Sequence, residues 1–168
     1  PEVVRDTLIA LAAREKAARK QNGLAKLRDD LGDPIMGTPN GKITLYEFSD
    51  YNCGYCKSVV KTIMDVLSED KKVNIVFVEF PILSQQSYFA AKAALASKNQ
   101  DLYNKFHLSL MKIKGRVNEE KVFNTAKEIG LDIDQLKTDM NKQEIEQQLI
   151  KNREIAKLLN LNGTPAFI

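Results

Sequence analysis

The sequence predicts an α/β fold, and three observations carry that expectation. Two apolar runs, Ile43-Thr44-Leu45-Tyr46-Glu47-Phe48 and Val73-Asn74-Ile75-Val76-Phe77-Val78-Glu79-Phe80, flank a helical stretch from about Gly54 to Leu67. Two apolar strands joined by a helix read as a βαβ unit with parallel strands. From Ser84 to Leu161 the apolar spacing is helical almost throughout. Asn162-Gly163-Thr164-Pro165 then turns the chain into Ala166-Phe167-Ile168, a further strand. So long a helical stretch between two parts of one sheet is an inserted helical subdomain.

Each element has its own signal. Residues 1–33 read as a separate helical extension, in which Val4, Leu8 and Leu11 recur at helical spacing beside Arg5, Arg14, Glu15 and Lys16. Gly23 predicts a break, after which Leu24, Leu27 and Leu31 mark a second short stripe. Two short amphipathic helices must dock on the main domain or on another copy of themselves, although Glu15 interrupts the spacing of a coiled-coil seam. Asp33-Pro34, Gly37, Pro39 and Asn40-Gly41 read as a turn-rich linker. Pro81 ends the second strand. Inside the insertion, Tyr88, Ala91 and Leu95 mark one helix, and Tyr103, Phe106, Leu110 and Met111 a second. Val122, Phe123, Ala126 and Ile129 mark a third, stopped by Gly130. Leu136 and Met140 belong to a short fourth, and Ile145, Leu149, Ile155 and Leu158 to a long fifth.

Composition excludes several function classes. The 168 residues, 43% of them apolar, fit one domain with an appended element. Charged residues make up 28% of the chain, but the net charge is +3 and lysines alternate with acids, so nothing points to nucleic acid. No apolar run is long enough to span a membrane. The chain starts at Pro1 with neither a methionine nor a signal-type apolar segment, as expected of a mature or trimmed form.

The chemistry is concentrated at Cys53-Gly54-Tyr55-Cys56, which holds both cysteines of the chain. A strand that runs into C-x-x-C and then a helix is the arrangement used for thiol–disulfide exchange. One thiolate attacks a substrate sulfur, and the second resolves the mixed disulfide. A helix beginning near Gly54 turns unpaired N–H groups and the positive end of its dipole toward Cys53, which favours the thiolate there. Asp50, Asn52, Gly54 and Lys57 around the pair read as exposed. A zinc site needs about four ligands and only His107 remains to join the cysteines, so no metal and no cofactor is expected. A static disulfide at this spacing would close too short a loop to stabilise the chain much.

With these elements in order, the chain resembles the DsbA-like branch of the thioredoxin superfamily, and within it the ScsC-type periplasmic proteins. The likeness is carried by Glu47-Phe48-Ser49-Asp50-Tyr51-Asn52-Cys53-Gly54-Tyr55-Cys56-Lys57, by Phe80-Pro81-Ile82-Leu83 and by Asn162-Gly163-Thr164-Pro165-Ala166-Phe167, and it covers residues 34–168. It implies a thioredoxin fold with an inserted helical subdomain at about 84–161 and an N-terminal helical extension. Residues 1–33 are similar to the ScsC-type leading segment, which mediates self-association. Chemistry and resemblance together make Cys53 the attacking thiolate, nearer the helix start and more exposed, and Cys56 the resolving thiol, whose burial keeps its proton. Gly54 and Tyr55 between them tune thiolate stability; the tyrosine stands where DsbA proper has a histidine, which implies a milder oxidant. Gly-Tyr is also the pair of the DsbC-type isomerases.

The resemblance further implies that Thr164-Pro165 is the cis-proline loop opposite the cysteines, where the Thr164 backbone pairs with an extended client in the manner of strand addition. Glu47 stands where the family places a buried acid that relays the proton of Cys56. Whether Glu47 faces inward or sits on a solvated edge, the alternation of Leu45, Tyr46 and Phe48 does not decide, and Glu79 is its rival. His107 reads as structural or exposed. The implied function is thiol–disulfide exchange on unfolded or misoxidised exported proteins in the periplasm. Isomerisation by a dimer or trimer, recharged by a membrane redox partner protein, is the leading form. The alternatives are a monomeric DsbA-like oxidase, a redox-independent chaperone and, as a minor one, copper(I) capture by the two thiolates. The family adds a further strand and helix after Ala166-Phe167-Ile168, so a chain ending at Ile168 is expected to leave a sheet edge uncovered.

Overall fold

The computed structural model describes residues 2–29, 32–38 and 41–168. Its centre is a four-stranded sheet in the order β1-β3-β2-β4. The strands β2 (Ile43–Ser49) and β3 (Val73–Glu79) run parallel and are joined by α2 (Gly54–Glu69), as the sequence predicts. β3 is buried along its whole length, which explains why it reads as a continuous apolar run rather than an alternating one. The short β4 (Ala166–Phe167) pairs antiparallel with β2, setting Phe167 opposite Glu47 and Ala166 opposite Phe48.

Two sequence expectations need correction. The turn-rich segment after Asp33 contains an edge strand, β1 (Ile35–Gly37), antiparallel to β3. Three residues are too few to show periodicity, and Gly37 at φ +109° marks its end. The second correction concerns Gly23. A single helix, α1 (Glu2–Asp29), runs straight through it. A Cβ at Gly23 would lie 2.9 Å from Leu159 Cδ2 and 3.0 Å from Leu158 Cβ, so the glycine is a contact surface for another helix, not a break. Leu27 is buried, whereas Leu31, Pro39 and Asn40 lie outside the described residues.

The five helices of the insertion follow the expected order: α3 (Gln85–Ala96), α4 (Tyr103–Met111), α5 (Glu119–Ile129), α6 (Ile133–Met140) and α7 (Gln143–Leu158), with a 3₁₀ turn at Ser97–Gln100 after α3. Three of the five, α3, α5 and α6, start at polar caps: Ser84, Asn118 and Asp132 accept hydrogen bonds from Ser87, Lys121 and Gln135 N–H. Gly130, at φ +96°, closes α5. The sheet separates two cores. On one side Cys53, Cys56, Ile63 and Leu67 meet Ile75 and Phe77, and this core runs on through α3 to α6. On the other, Phe48, Val76, Val78 and Phe80 pack with Ile155 and Ala156 of α7 and Leu27 of α1. The C-terminal part of α1 docks on α7, while Val3, Val4, Leu8, Ile9 and Leu11 at its start are each at least half exposed.

Candidate active site

Cys53 is the N-cap of α2. Its backbone is extended (φ −82°, ψ 116°), and its Sγ accepts a hydrogen bond from Cys56 N–H at 3.3 Å. A sulfur in that position receives an orphan amide of the first turn and lies at the positive end of the helix. The described structure is the dithiol: both cysteines are free, and the Cys53 thiol donates to Thr164 O at 3.2 Å. Cys53 is 6% exposed and Cys56 fully enclosed. Cys53 is thus the more accessible of the two but more sheltered than the sequence suggested, and the rim belongs to Gly54 and to Tyr55 at 78%. Burial, with the hydrogen bond to Cys53 next in size, pushes the Cys56 thiol far above its ordinary range.

The loop before Cys53 was misread as exposed at one position. Asp50 is buried because its carboxylate caps three amides: Oδ1 accepts from Asn52 N–H at 2.7 Å, and Oδ2 from Ile82 and Leu83 N–H at 2.9 and 3.0 Å. Its Asx turn was the signal that could have revealed this. Asn52 reaches the insertion, accepting from Val117 N–H at 2.7 Å and donating to Val117 O and Ser87 Oγ, each at 3.2 Å. Lys57 donates to Ile113 O and Gly115 O at 2.8 and 2.7 Å, and burial lowers its pKa. The Thr164–Pro165 peptide bond is cis, and Thr164 faces both sulfurs.

Glu47 faces inward. It shares a face with Leu45 and Phe77, on the α2 side of the sheet, and is 1% exposed. Burial, and secondarily the charge of Glu79, raises its pKa from 4.5 to about 7. Glu79 is buried on the same face and is bound by Tyr51 and Tyr103, with His107 behind them. His107 is fully buried, which excludes the exposed alternative. Tyr51 and Tyr103 escaped sequence reasoning because no local spacing connects them to Glu79. Among the described residues no group of three or more His, Cys, Asp or Glu side chains could hold a metal ion.

A helix-capping thiol, an enclosed partner thiol three residues on and a facing Thr-Pro loop, set on a β-α-β sheet with a helical insertion, define a thiol:disulfide oxidoreductase of thioredoxin fold. The comparisons agree. The family model described as "Thioredoxin" matches residues 29–168, and the chain belongs to that family. A thioredoxin-like oxidoreductase from Silicibacter pomeroyi is 40% identical, with a TM-score of 0.83 over 85% of this chain and 83% of its own. The thiol-disulfide exchange protein alpha-DsbA2 from Wolbachia pipientis is 30% identical, at a TM-score of 0.82 over 93% and 86%. The catalytic domain of Proteus mirabilis ScsC shares the fold at 23% identity and a TM-score of 0.78, over 90% and 84%. A probable disulfide bond formation protein D from Bacillus anthracis is 28% identical over 78% of this chain, which spans 66% of that relative's length.

Proposed function

We propose that the protein exchanges disulfides in exported, periplasmic client proteins, and that it acts chiefly as an isomerase assembled into a dimer or trimer through α1. In the chemical step, the Cys53 thiolate attacks a client disulfide, forming a Cys53–client bond and releasing one client sulfur as thiolate. The client's own second thiolate then displaces Cys53, which completes isomerisation without net redox change. If it does not, Cys56 gives its proton to Glu47 and attacks Cys53; the client leaves as a thiolate and the enzyme is left oxidised, for a membrane redox partner to reduce. Gly54, Tyr55, Thr164 and Pro165 frame the client strand around Cys53, with the Thr164 backbone as its pairing edge.

The observation that carries the assembly is the start of α1. Its 28 residues reach about 42 Å, and the end that projects beyond α7 shows Val3 at 79%, Val4 at 64% and Leu8 at 61% exposure. A row of that kind is covered by a like helix at low cost. The name of the Bacillus relative, a probable disulfide bond formation protein, favours a second reading, oxidation of client dithiols, for which a monomer suffices. A redox-independent chaperone is the alternative of another class.

Replacing Val4, Leu8 and Leu11 by glutamate leaves the docked half of α1 intact and separates these readings. Sedimentation of the wild-type chain should give an oligomer, and of the triple variant a monomer. The variant should lose refolding of scrambled ribonuclease while still reducing insulin. Equal ribonuclease refolding by a monomer overturns the isomerase assembly, and full activity in Cys53→Ser points to the chaperone.

A further inference from the structure

The parallel register of β2 and β3 places Ser49 opposite Glu79 and Glu47 opposite Phe77. The two glutamates are therefore diagonal neighbours on one face of adjacent strands, with Cβ atoms up to roughly 7–8 Å apart. Each is 1% exposed, and among the described residues neither forms an ion pair with a lysine or arginine. Two carboxylates so placed do not ionise independently.

Their surroundings differ. Glu79 Oε1 accepts hydrogen bonds from Tyr51 Oη and Tyr103 Oη, each at 2.6 Å, a length typical of a hydroxyl donating to a charged oxygen. His107 Nδ1 lies 2.9 Å from Tyr51 Oη and 3.3 Å from Tyr103 Oη. Each phenol has one proton. With both directed at Glu79, His107 Nδ1 must carry a hydrogen and donate it, giving an ordered chain from His107 through Tyr51 to Glu79 that polarises cooperatively. One oxygen of each carboxyl, Glu79 Oε2 and Glu47 Oε1, has no hydrogen-bond partner among the described residues; what Glu47 lacks is the pair of phenols, and its ladder neighbours are Phe77 and Phe167.

We propose that Tyr51, Tyr103 and His107 fix a negative charge on Glu79, and that this charge makes Glu47 a stronger base toward the Cys56 thiol. The four are positioning residues, acting through Glu47. The proposal rests on the reading of Glu47 as the proton relay. In the step concerned, the Glu47 carboxylate takes the proton of Cys56; the thiolate so formed bonds to Cys53 Sγ, and the Cys53–client bond breaks with its electron pair leaving on the client sulfur. Glu79 from β3 is the charged group that acts on Glu47, and Tyr51 from the loop after β2 lies within the field of both carboxyls. Tyr103 and His107 from α4 surround Glu79, and Cys53 and Cys56 belong to the core on the same side of the sheet. Asp50 and Lys57 are turned to backbone amides and carbonyls.

The test is the titration of Glu47 itself, followed by carboxyl ¹³C NMR in the reduced chain and assigned by its disappearance in Glu47→Gln. Wild type should titrate near 7. Glu79→Gln should weaken proton binding at Glu47 about tenfold, roughly one pH unit downward, because burial remains but the like charge is gone. The double variant Tyr51→Phe/Tyr103→Phe keeps both carboxyls and should shift Glu47 the same way as charge leaves Glu79. It also serves if Glu79→Gln fails to fold. The pH–rate profile for client release from a preformed Cys53 mixed disulfide should move with the titration. A Glu47 titration that stays put in a folded variant overturns the proposal. A Glu47→Gln chain that releases client with an unchanged profile overturns the relay reading instead, whatever Glu79 does to the titration.

Discussion

The two faces of the sheet are built from alternate residues of the same strands, yet they have different tasks. Toward α7, Phe48, Val76, Val78 and Phe80 meet Leu27, Ile155 and Ala156 in an apolar layer. Toward α2, the same strands present Glu47 and Glu79 on the side where Cys56 is buried, with Tyr51, Tyr103 and His107 completing a buried polar group around Glu79. Burying carboxyls is costly, and on this face the cost is offset by the apolar core that α2 to α6 build around them. Both faces bury apolar core, and the α2 face alone adds two buried carboxyls to it. Period-two alternation makes this division possible, since a side chain on one face leaves the other untouched.

The comparison breaks most visibly at Phe48. Phe48→Ala removes a fully buried ring from the α7 side, along with its edge contact to Phe80 at 5.9 Å between centroids. The expected loss is about 3–5 kcal/mol in urea unfolding, with the pH dependence of that stability unchanged. Glu47→Gln should act in the opposite way. With its pKa raised from 4.5 to about 7, folded Glu47 holds a proton that the unfolded chain has released. Its contribution is fully present below pH 4.5, declines as pH rises, and is gone above about 7, a difference on the order of 3 kcal/mol. Relative to wild type, Glu47→Gln should therefore gain stability between unfolding measurements at pH 5 and pH 8. The smallest effect is expected for Gly23→Ala. The better helix former gains roughly 1 kcal/mol, offset by the contacts of its Cβ at 2.9–3.0 Å with Leu158 and Leu159. Thermal melting should show a net change of no more than about 1 kcal/mol, and a large drop would mean that the α1–α7 contact is more rigid than it looks.

Much of this architecture was legible in the chain. The parallel pair and its helix, the five inserted helices and the reactive motif each have a local signature, whether periodicity, cap or spacing. What escaped has non-local causes. Gly23 was read by its helix propensity, whereas its role is set by Leu158 and Leu159 far along the chain. β1 is three residues long and owes its existence to a partner, β3. Glu47 could not be oriented because β2 has partly buried residues on both faces near its middle. The Glu79 cluster joins β3, α4 and the loop after β2, and only the folded sheet brings these together.

The grip of Asn52 on Val117, and of Lys57 on the Ile113 and Gly115 carbonyls, has a mechanical consequence. Asn52 before the cap and Lys57 in the first turn of α2 tie the reactive motif to the connection between α4 and α5. An outward swing of the insertion would exchange four hydrogen bonds to Val117, Ile113 and Gly115 for bonds to water. The connection between α4 and α5 is thereby held at a fixed distance from the reactive cysteine, as one clamped wall beside it.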